Sequence, residues 1–327
     1  MAVLQKIDNP YGMIQTVEHG ESFSIYRSQD STGDCEVTVY PVFSGIELVY
    51  YDVHMQSCDI NLAKGREMLI ITHCQEGRIE FEYKNGEYLY LASGDLSIQK
   101  NTENIRHRYC PLSHYHGVSV AIDMNRVPRC FSCILDDVFV SPEELEMKFC
   151  SEKPYSIMRE NISIEHIFSE LYSVPENIRK GYHKVKVLEL LLFLSALDVA
   201  HEKHGYTAAQ VRLARAARDA LLASTEDDVT ISALAQELGA SPSQLAASFR
   251  GVYGVTPAAF LRAQKMHSAA QLLRTSDRTV LDIAGQFGYD NASKFAKAFR
   301  SVIGVSPSAY RAGADSDSCA PTAEKAE

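Results

Sequence analysis

Phe249–Phe260 reads FRGVYGVTPAAF and Phe299–Tyr310 reads FRSVIGVSPSAY, with seven of twelve positions identical. An echo at this spacing means that the chain builds one supersecondary unit twice, and this constrains the fold more than any figure of composition. The register extends backwards. ISALAQELGASPSQLAASFRGVYGVTP (231–257) aligns with VLDIAGQFGYDNASKFAKAFRSVIGVSP (280–307). Ala235 then matches Ala284, Leu238 matches Phe287, Gly239 matches Gly288, and Pro257 matches Pro307. The offset steps from 49 to 50 because the turn of the second copy is one residue longer.

Each copy reads as a short helix, a tight turn and a second helix. Leu234 and Ala235, and in the second copy Ile283 and Ala284, fall on the side of the first helix that must be buried. Glycine ends that helix, since it enters left-handed dihedrals without steric cost. Ser241-Pro242 starts the next helix in copy one, and Asp290 or Asn291 caps it in copy two. Leu245 with Phe249, and Phe295 with Phe299, lie four apart and anchor the second helix inward. Two helices joined by a short turn make a helix-turn-helix. The segment between the copies, PAAFLRAQKMHSAAQLLRTS (257–276), has helical periodicity. A helix over 257–274 would be about 27 Å long, suited to holding two reading heads about one DNA turn apart.

Charge is distributed accordingly. The chain of 327 residues carries a formal net charge of −10, yet residues 207–312 hold twelve Lys and Arg against eight Asp and Glu. A locally positive part on an acidic body is what a confined DNA footprint requires. The start, MAVLQKIDNPYG, lacks a basic region followed by an apolar core, so no signal peptide is expected. The most apolar run, VLELLLFLSALDVA (187–200), contains Glu189 and Asp198 and is too interrupted to span a membrane. Eight scattered cysteines fit a reducing, cytoplasmic setting better than a disulfide scaffold. Cys130 and Cys133 form one CxxC, without the second pair that a zinc finger needs, and read as ordinary cysteines.

Upstream of the repeat the chain changes character twice. Residues 1–35 read as irregular. From about 36 to 124, EVTVY, GIELVYYDVHM, EMLIITHCQ, GRIEFEY, EYLYLASGDLSIQ and YHGVSVAIDM read as strands, with turns at Lys84-Asn85-Gly86 and Gly94-Asp95. Short strands without intervening helices suggest a sandwich or small barrel. Helices follow from Ser141-Pro142: one over 163–174, a long one over 182–203 with an apolar stripe of Val185, Leu188, Leu191, Leu192, Ala196 and Val199, and one over 207–223. The long helix suits pairing across a dimer or packing on its own strands. The tail after Arg311 is small and polar and reads as disordered.

LAQELGASPSQLAASFR, GVTPAAFLRAQKMHSAAQLL and above all IAGQFGYDNASKFAKAFRSVIGVSPSAYR resemble the DNA-binding domain of the AraC/XylS family of transcription regulators, over about 228–312. The resemblance implies a domain plan. Residues 1–140 would be a cupin-like β-barrel regulatory domain, 141–223 a helical linker and dimerisation region, 224–312 the DNA-binding domain, and 313–327 a disordered tail. The implied fold class is an all-β cupin-like barrel followed by an all-α domain with two helix-turn-helix motifs. The implied partners are double-stranded promoter DNA, a small-molecule effector, a second copy in a homodimer and, as a candidate, RNA polymerase. No cofactor, metal or enzymatic activity is expected. Activation and repression depend on where the operator lies and are not separable from sequence.

The candidate DNA contacts fall in three groups. In copy one they are Ser243, Gln244, Ala247 and Arg250, where alanine offers only a methyl to thymine. On the spacer they are Arg262 and Lys265. The family usually has arginine where this chain has Lys265, and lysine lacks its fork geometry. In copy two they are Asn291, Ser293, Lys294, Lys297 and Arg300. Asn291 suits either adenine or its own helix end, and Lys294 and Lys297 suit guanine or phosphate. A charged helix face is equally what a solvated surface looks like.

The N-terminal half offers less chemistry. His114 and His116 share one side of a strand, but no complete metal pattern surrounds them, and they read as surface or packed histidines. Ile79, Phe81, Tyr83, Tyr88 and Tyr90 alternate and suit either core or an aromatic wall around an effector. Two other classes remain open: a metal-independent cupin-type binding or enzymatic protein, and a helical interaction protein without base-specific DNA binding.

Overall fold

Val, Ile and Tyr in alternation draw the first part of the chain into a ladder of antiparallel strands. The structure, a computed structural model, describes residues 16–20, 22–57, 66–100, 105–128, 140–158, 162–197, 206–223 and 230–312. It divides into two units, Met1–Val211 and Arg212–Glu327. The strands are β1 Thr16–His19, β2 Ser24–Asp30, β3 Gly33–Phe43, β4 Ile46–His54, β5 Met68–Tyr83, β6 Tyr88–Ala92, β7 Leu96–Lys100, β8 Ile105–Tyr109, β9 Tyr115–Asp123 and β10 Tyr155–Met158. Helices α1 Pro142–Cys150, α2 Ile162–Leu171 and α3 Arg179–Ala196 follow or interleave with them.

The sheet order is β1-β2-β3-β4-β9-β5-β7-β10, with β6 and β8 pairing β5 off this path. This corrects the expected cupin-like barrel. A barrel requires the two end strands to bond to each other, and here the path ends open at β1 and at β10. The cause lies in β5, which joins the two expected strands EMLIITHCQ and GRIEFEY into one of 16 residues. Its first part pairs β7 and β9. Beyond an irregularity between Cys74 and Glu76, its last residues pair β6 and β8 instead. β1, β2, β8 and β10 were not anticipated. The turns at Asn85-Gly86 and Gly94-Asp95 form as expected, with the Gly86 N–H donating to the Tyr83 carbonyl at 2.9 Å and the Asp95 N–H to the Ala92 carbonyl at 3.0 Å.

Alternation puts one core on each face. Val37, Val39, Val49, Val53, Ile70 and Phe81 belong to one. Ile46, Leu48, Leu69, Ile71, Val118 and Val120 meet α1, α2 and α3 in the other. Ser141 caps α1, its side chain accepting from the Glu144 N–H. The stripe of α3 is out of phase with the expected one. His183, Lys186, Val187, Leu190, Leu191 and Leu194 are buried, while Val185 is 59% exposed. Tyr40 and Tyr50 on the sheet select the His183 face by packing against its ring, at centroid distances of 4.9 and 5.9 Å. Val199 and Cys130-x-x-Cys133 lie outside the described residues, as does the tail. The aromatic wall does not form as one surface: Ile79, Phe81 and Tyr83 enter the first core, whereas the Tyr90 hydroxyl donates to the buried Glu80 carboxylate. Cys35, Cys74, Cys110 and Cys150 are buried free thiols. No helix among the described residues is long and apolar enough to cross a membrane.

Candidate nucleic-acid interface

The second unit begins within a helix α4 (Ala208–Ala223). Copy one of the repeat is α5 (Ile231–Glu237), α6 (Pro242–Tyr253) and the start of α7 (Pro257–Thr275). Copy two is α8 (Val280–Gln286), α9 (Ala292–Ile303) and α10 (Pro307–Ala312). The helix ends repeat with the sequence. Thr230 and Thr279 cap the first helices, accepting from the N–H of Ala233 at 3.2 Å and of Asp282 at 3.1 Å. The Asp282 carboxylate returns an acceptor to the Thr279 N–H at 3.2 Å, closing a capping box, and the hydrogen bond from the Thr279 hydroxyl lowers the pKa of that carboxyl. Gly239 and Gly288 take φ of 65° and 80° after each first helix. The next N–H, of Ala240 or Tyr289, then reaches back to the carbonyl of Ala235 at 2.9 Å or Ala284 at 3.0 Å. These bonds satisfy carbonyls the helix end leaves over.

Packing repeats as well. Leu234, Ala235, Leu245 and Phe249 are buried in copy one, and Ile283, Ala284, Phe295 and Phe299 in copy two. Phe249 and Tyr253 pack on Phe260 near the start of α7, with ring centroids 5.6 and 5.2 Å away. Phe295 and Phe299 pack with Met266, Ala269, Ala270 and Leu273 further along the same helix. Each such ring removed from water contributes about 1.5–3 kcal/mol. α7 therefore serves as a wall for both copies.

With Leu245 and Phe249 turned inward on α6, and Phe295 and Phe299 on α9, the opposite faces of both helices are left to solvent. The expected contacts lie there. Ser243, Gln244, Ala247 and Arg250 are exposed on α6. Ser293, Lys294, Lys297 and Arg300 are exposed at the equivalent positions of α9. Ser293, Lys297 and Arg300 share a shallow cleft with Ala296 and Ser301. The faces thus have one geometry and different chemistry, Ser-Gln-Ala-Arg in copy one and Ser-Lys-Lys-Arg in copy two. Asn291 is the N-cap of α9, its Oδ1 accepting from the Ser293 N–H at 2.7 Å. Arg262 and Lys265 lie elsewhere, in a cleft of about 330 Å³ with Leu221, Leu234, Leu261, Phe287 and Tyr289. Lys265 is half-buried there while Arg262 is exposed.

A histidine cluster in the first unit escaped the sequence reading in part. His114 and His116 gather with His54, which belongs to β4. The signal was the pair Asp52-x-His54, but only the pairing of β4 with β9 connects it to residues sixty positions on.

A helix-turn-helix domain model matches residues 234–313. No curated protein matches the chain. The C-terminal domain of AraT, a response regulator from Geobacillus stearothermophilus, is 28% identical, with 34% of this chain and 93% of that one covered and a TM-score of 0.29. A probable AraC family transcriptional regulator from Rhodopseudomonas palustris is 26% identical, with coverages of 32% and 97% and a TM-score of 0.29. The DNA-binding domain of AdpA, solved in complex with a target DNA, is 29% identical, with coverages of 32% and 90% and a TM-score of 0.27. The C-terminal unit, by its own helices and the domain model it matches, has a helix-turn-helix fold. The wider AraC/XylS resemblance with its barrel is corrected: the likeness to such C-terminal domains is weak, and the N-terminal sheet is open.

Proposed function

We propose that the chain is a sequence-specific DNA-binding transcription regulator whose two helix-turn-helix copies address double-stranded promoter DNA. The observation that carries this reading is the equivalence of the exposed faces of α6 and α9, with cations gathered on the second. Lys294, Lys297 and Arg300 supply charge for phosphates or guanine, while Ser243, Gln244 and Ala247 give copy one a nearly neutral face that positions more than it discriminates. Arg250 is a phosphate contact in the first copy. Arg262 and Lys265 act from their own cleft on the flanking backbone. Asn291 spends its side-chain oxygen on the helix end, so its contribution to reading is through the pose of α9.

Control by a small molecule bound to the first unit, homodimerisation and contact with RNA polymerase complete the proposal. Its support is that the first unit is a separate body with two cores of its own. The test is selection of bound duplexes from a genomic library, followed by a salt titration of the best site. Lys297→Ala is expected to lower the slope of log affinity against log salt by about 0.9, the value of one phosphate contact. Binding without a shared motif, and with an unchanged slope in the variant, would favour a helical interaction protein instead.

A further inference from the structure

The ladder of β4, β9 and β5 places five polar side chains in one patch. Asp52 pairs His116 across β4 and β9, and Glu76 pairs His116 across β5 and β9. His54 follows Asp52 by two residues and His114 precedes His116 by two, so all share the face of Tyr50 and Val118. That face is covered by helices as far as Tyr50, whose hydroxyl donates to the Leu171 carbonyl at 3.0 Å. One step beyond, the histidines emerge, with side chains of His54, His114 and His116 exposed by 48, 31 and 25%. His54 and His114 are open to ions, while the Nε2 atom of His116 is itself buried.

We propose that His54, His114 and His116 form a binding site for a zinc-class divalent transition cation, with the Asp52 carboxylate as the fourth ligand and Glu76 orienting His114. One candidate ligand atom from each histidine lies within 4.8 Å of those of the other two. Imidazole nitrogens around a tetrahedral zinc sit about 3.4 Å apart, given metal–nitrogen bonds of about 2.1 Å. The rings close that difference by side-chain rotation. The Asp52 Oδ1 already meets His54 Nε2 at 2.8 Å and His116 Nε2 at 3.0 Å, and Glu76 Oε1 meets His114 Nε2 at 3.4 Å. Asp34, opposite His54 on β3, adds a third carboxylate nearby. Three imidazoles among carboxylates are the donor set that such cations prefer.

Two glycines hold the backbone of this patch in place. A Cβ on Gly33, at φ 148°, would stand 1.9 Å from the His54 carbonyl oxygen. A Cβ on Gly77, at φ 81°, would stand 2.1 Å from that of His114. Neighbouring strands therefore press directly on the main chain that carries two of the three ligands. The cluster is assembled on paired strands before any ion arrives, as a binding site requires.

The test uses the full chain without a polyhistidine tag, stripped by chelator and then titrated with zinc chloride by calorimetry, and separately with cobalt(II) by visible absorption. Wild type is expected to bind one zinc at this patch, and its cobalt form to show a tetrahedral spectrum without sulfur-to-metal charge transfer. His54→Gln and His114→Gln are expected to weaken zinc binding by more than about 100-fold, beyond the loss of an outer hydrogen-bond partner. Cys130→Ser with Cys133→Ser is expected to leave it unchanged. Absence of bound zinc, a thiolate-type cobalt spectrum, or histidine variants that keep the wild-type affinity would each overturn the site. Because the cobalt spectrum is read on wild type, a variant that fails to fold does not shield the proposal.

Discussion

His183 on α3 is the sharpest place to test how the first unit is held together. Its ring is 3% exposed, and its Nε2 lies 3.3 Å from the Tyr50 hydroxyl. That hydroxyl gives its proton to the Leu171 carbonyl, so neutral His183 satisfies Tyr50 by donating from Nε2. Burial, and then the neighbouring Arg179, press its pKa down to about 4. A histidine with a depressed folded pKa takes up its proton more readily when unfolded. Its neutral burial costs nothing above the unfolded pKa, and stability is lost as pH falls from about 6.5 toward 4. Between about pH 7.5 and pH 5 the linkage integral gives at most about 2 kcal/mol, trimmed toward about 1 kcal/mol by solvent screening near Arg179. The assay is urea unfolding of wild type and His183→Gln at intervals across this range, followed by the strand and helix signal. His73, whose pKa is also lowered by burial against the pull of Glu165, acts in both proteins and cancels in the difference. The gap between the two proteins is expected to shift in favour of the variant by about 1 to 2 kcal/mol on acidification, the linkage value above. A gap that does not change with pH would refute the reasoning.

Three other outcomes are expected. Phe299→Ala empties a fully buried site beside Phe295 and Tyr310 and is expected to cost about 3–5 kcal/mol; thermal melting of the helical signal checks this, and a loss under about 1 kcal/mol contradicts the packing. Thr279→Ala removes one half of the capping box and is expected to cost about 1 kcal/mol, read from the urea midpoint of the second unit. Gly77→Ala drives a Cβ into the His114 carbonyl and is expected to lower stability by more than about 1 kcal/mol, whereas Gly86→Ala, with open space around it, meets only the cost of its own dihedrals; urea unfolding of the two variants side by side measures the difference.

The repeat was legible because its determinants are local. Caps at Ser241 and Asn291, stops at Gly239 and Gly288, and the four-residue spacing of Phe295 and Phe299 all act within a turn or two of chain, and the structure has each of them. The sheet was not legible to the same degree, since strand order depends on partners far away. Alternation in β5 announced strands, yet nothing within EMLIITHCQEGRIEFEY told that one strand would leave β9 for β6 and β8 at Gly77. β2 went unseen because SIYRSQD is polar; it is held by its place beside β3, where Arg27 pairs with Glu36 at 2.8 Å. The phase of α3 failed for a related reason. Leucines surround that helix, and the choice among faces was made by Tyr40 and Tyr50, which sequence places more than a hundred residues earlier. On the candidate interface, composition named the cations but not their neighbours: Arg262 and Lys265 share one cleft with Leu221 and Phe287, and Ser293, Lys297 and Arg300 share another.

The sharing of α7 has a consequence for how the second unit comes apart. One copy closes its core on Phe260 and the other on Met266 to Leu273, so neither copy owns a complete interior. Fraying that starts in α9 strips the far end of α7 and loosens the near end that α6 needs. In amide hydrogen exchange the slowest protons of α6 and α9 are then released in one opening event, with one free energy, and not as two independent domains. A duplication that looks in sequence like two heads on a spacer is, in this sense, a single cooperative body.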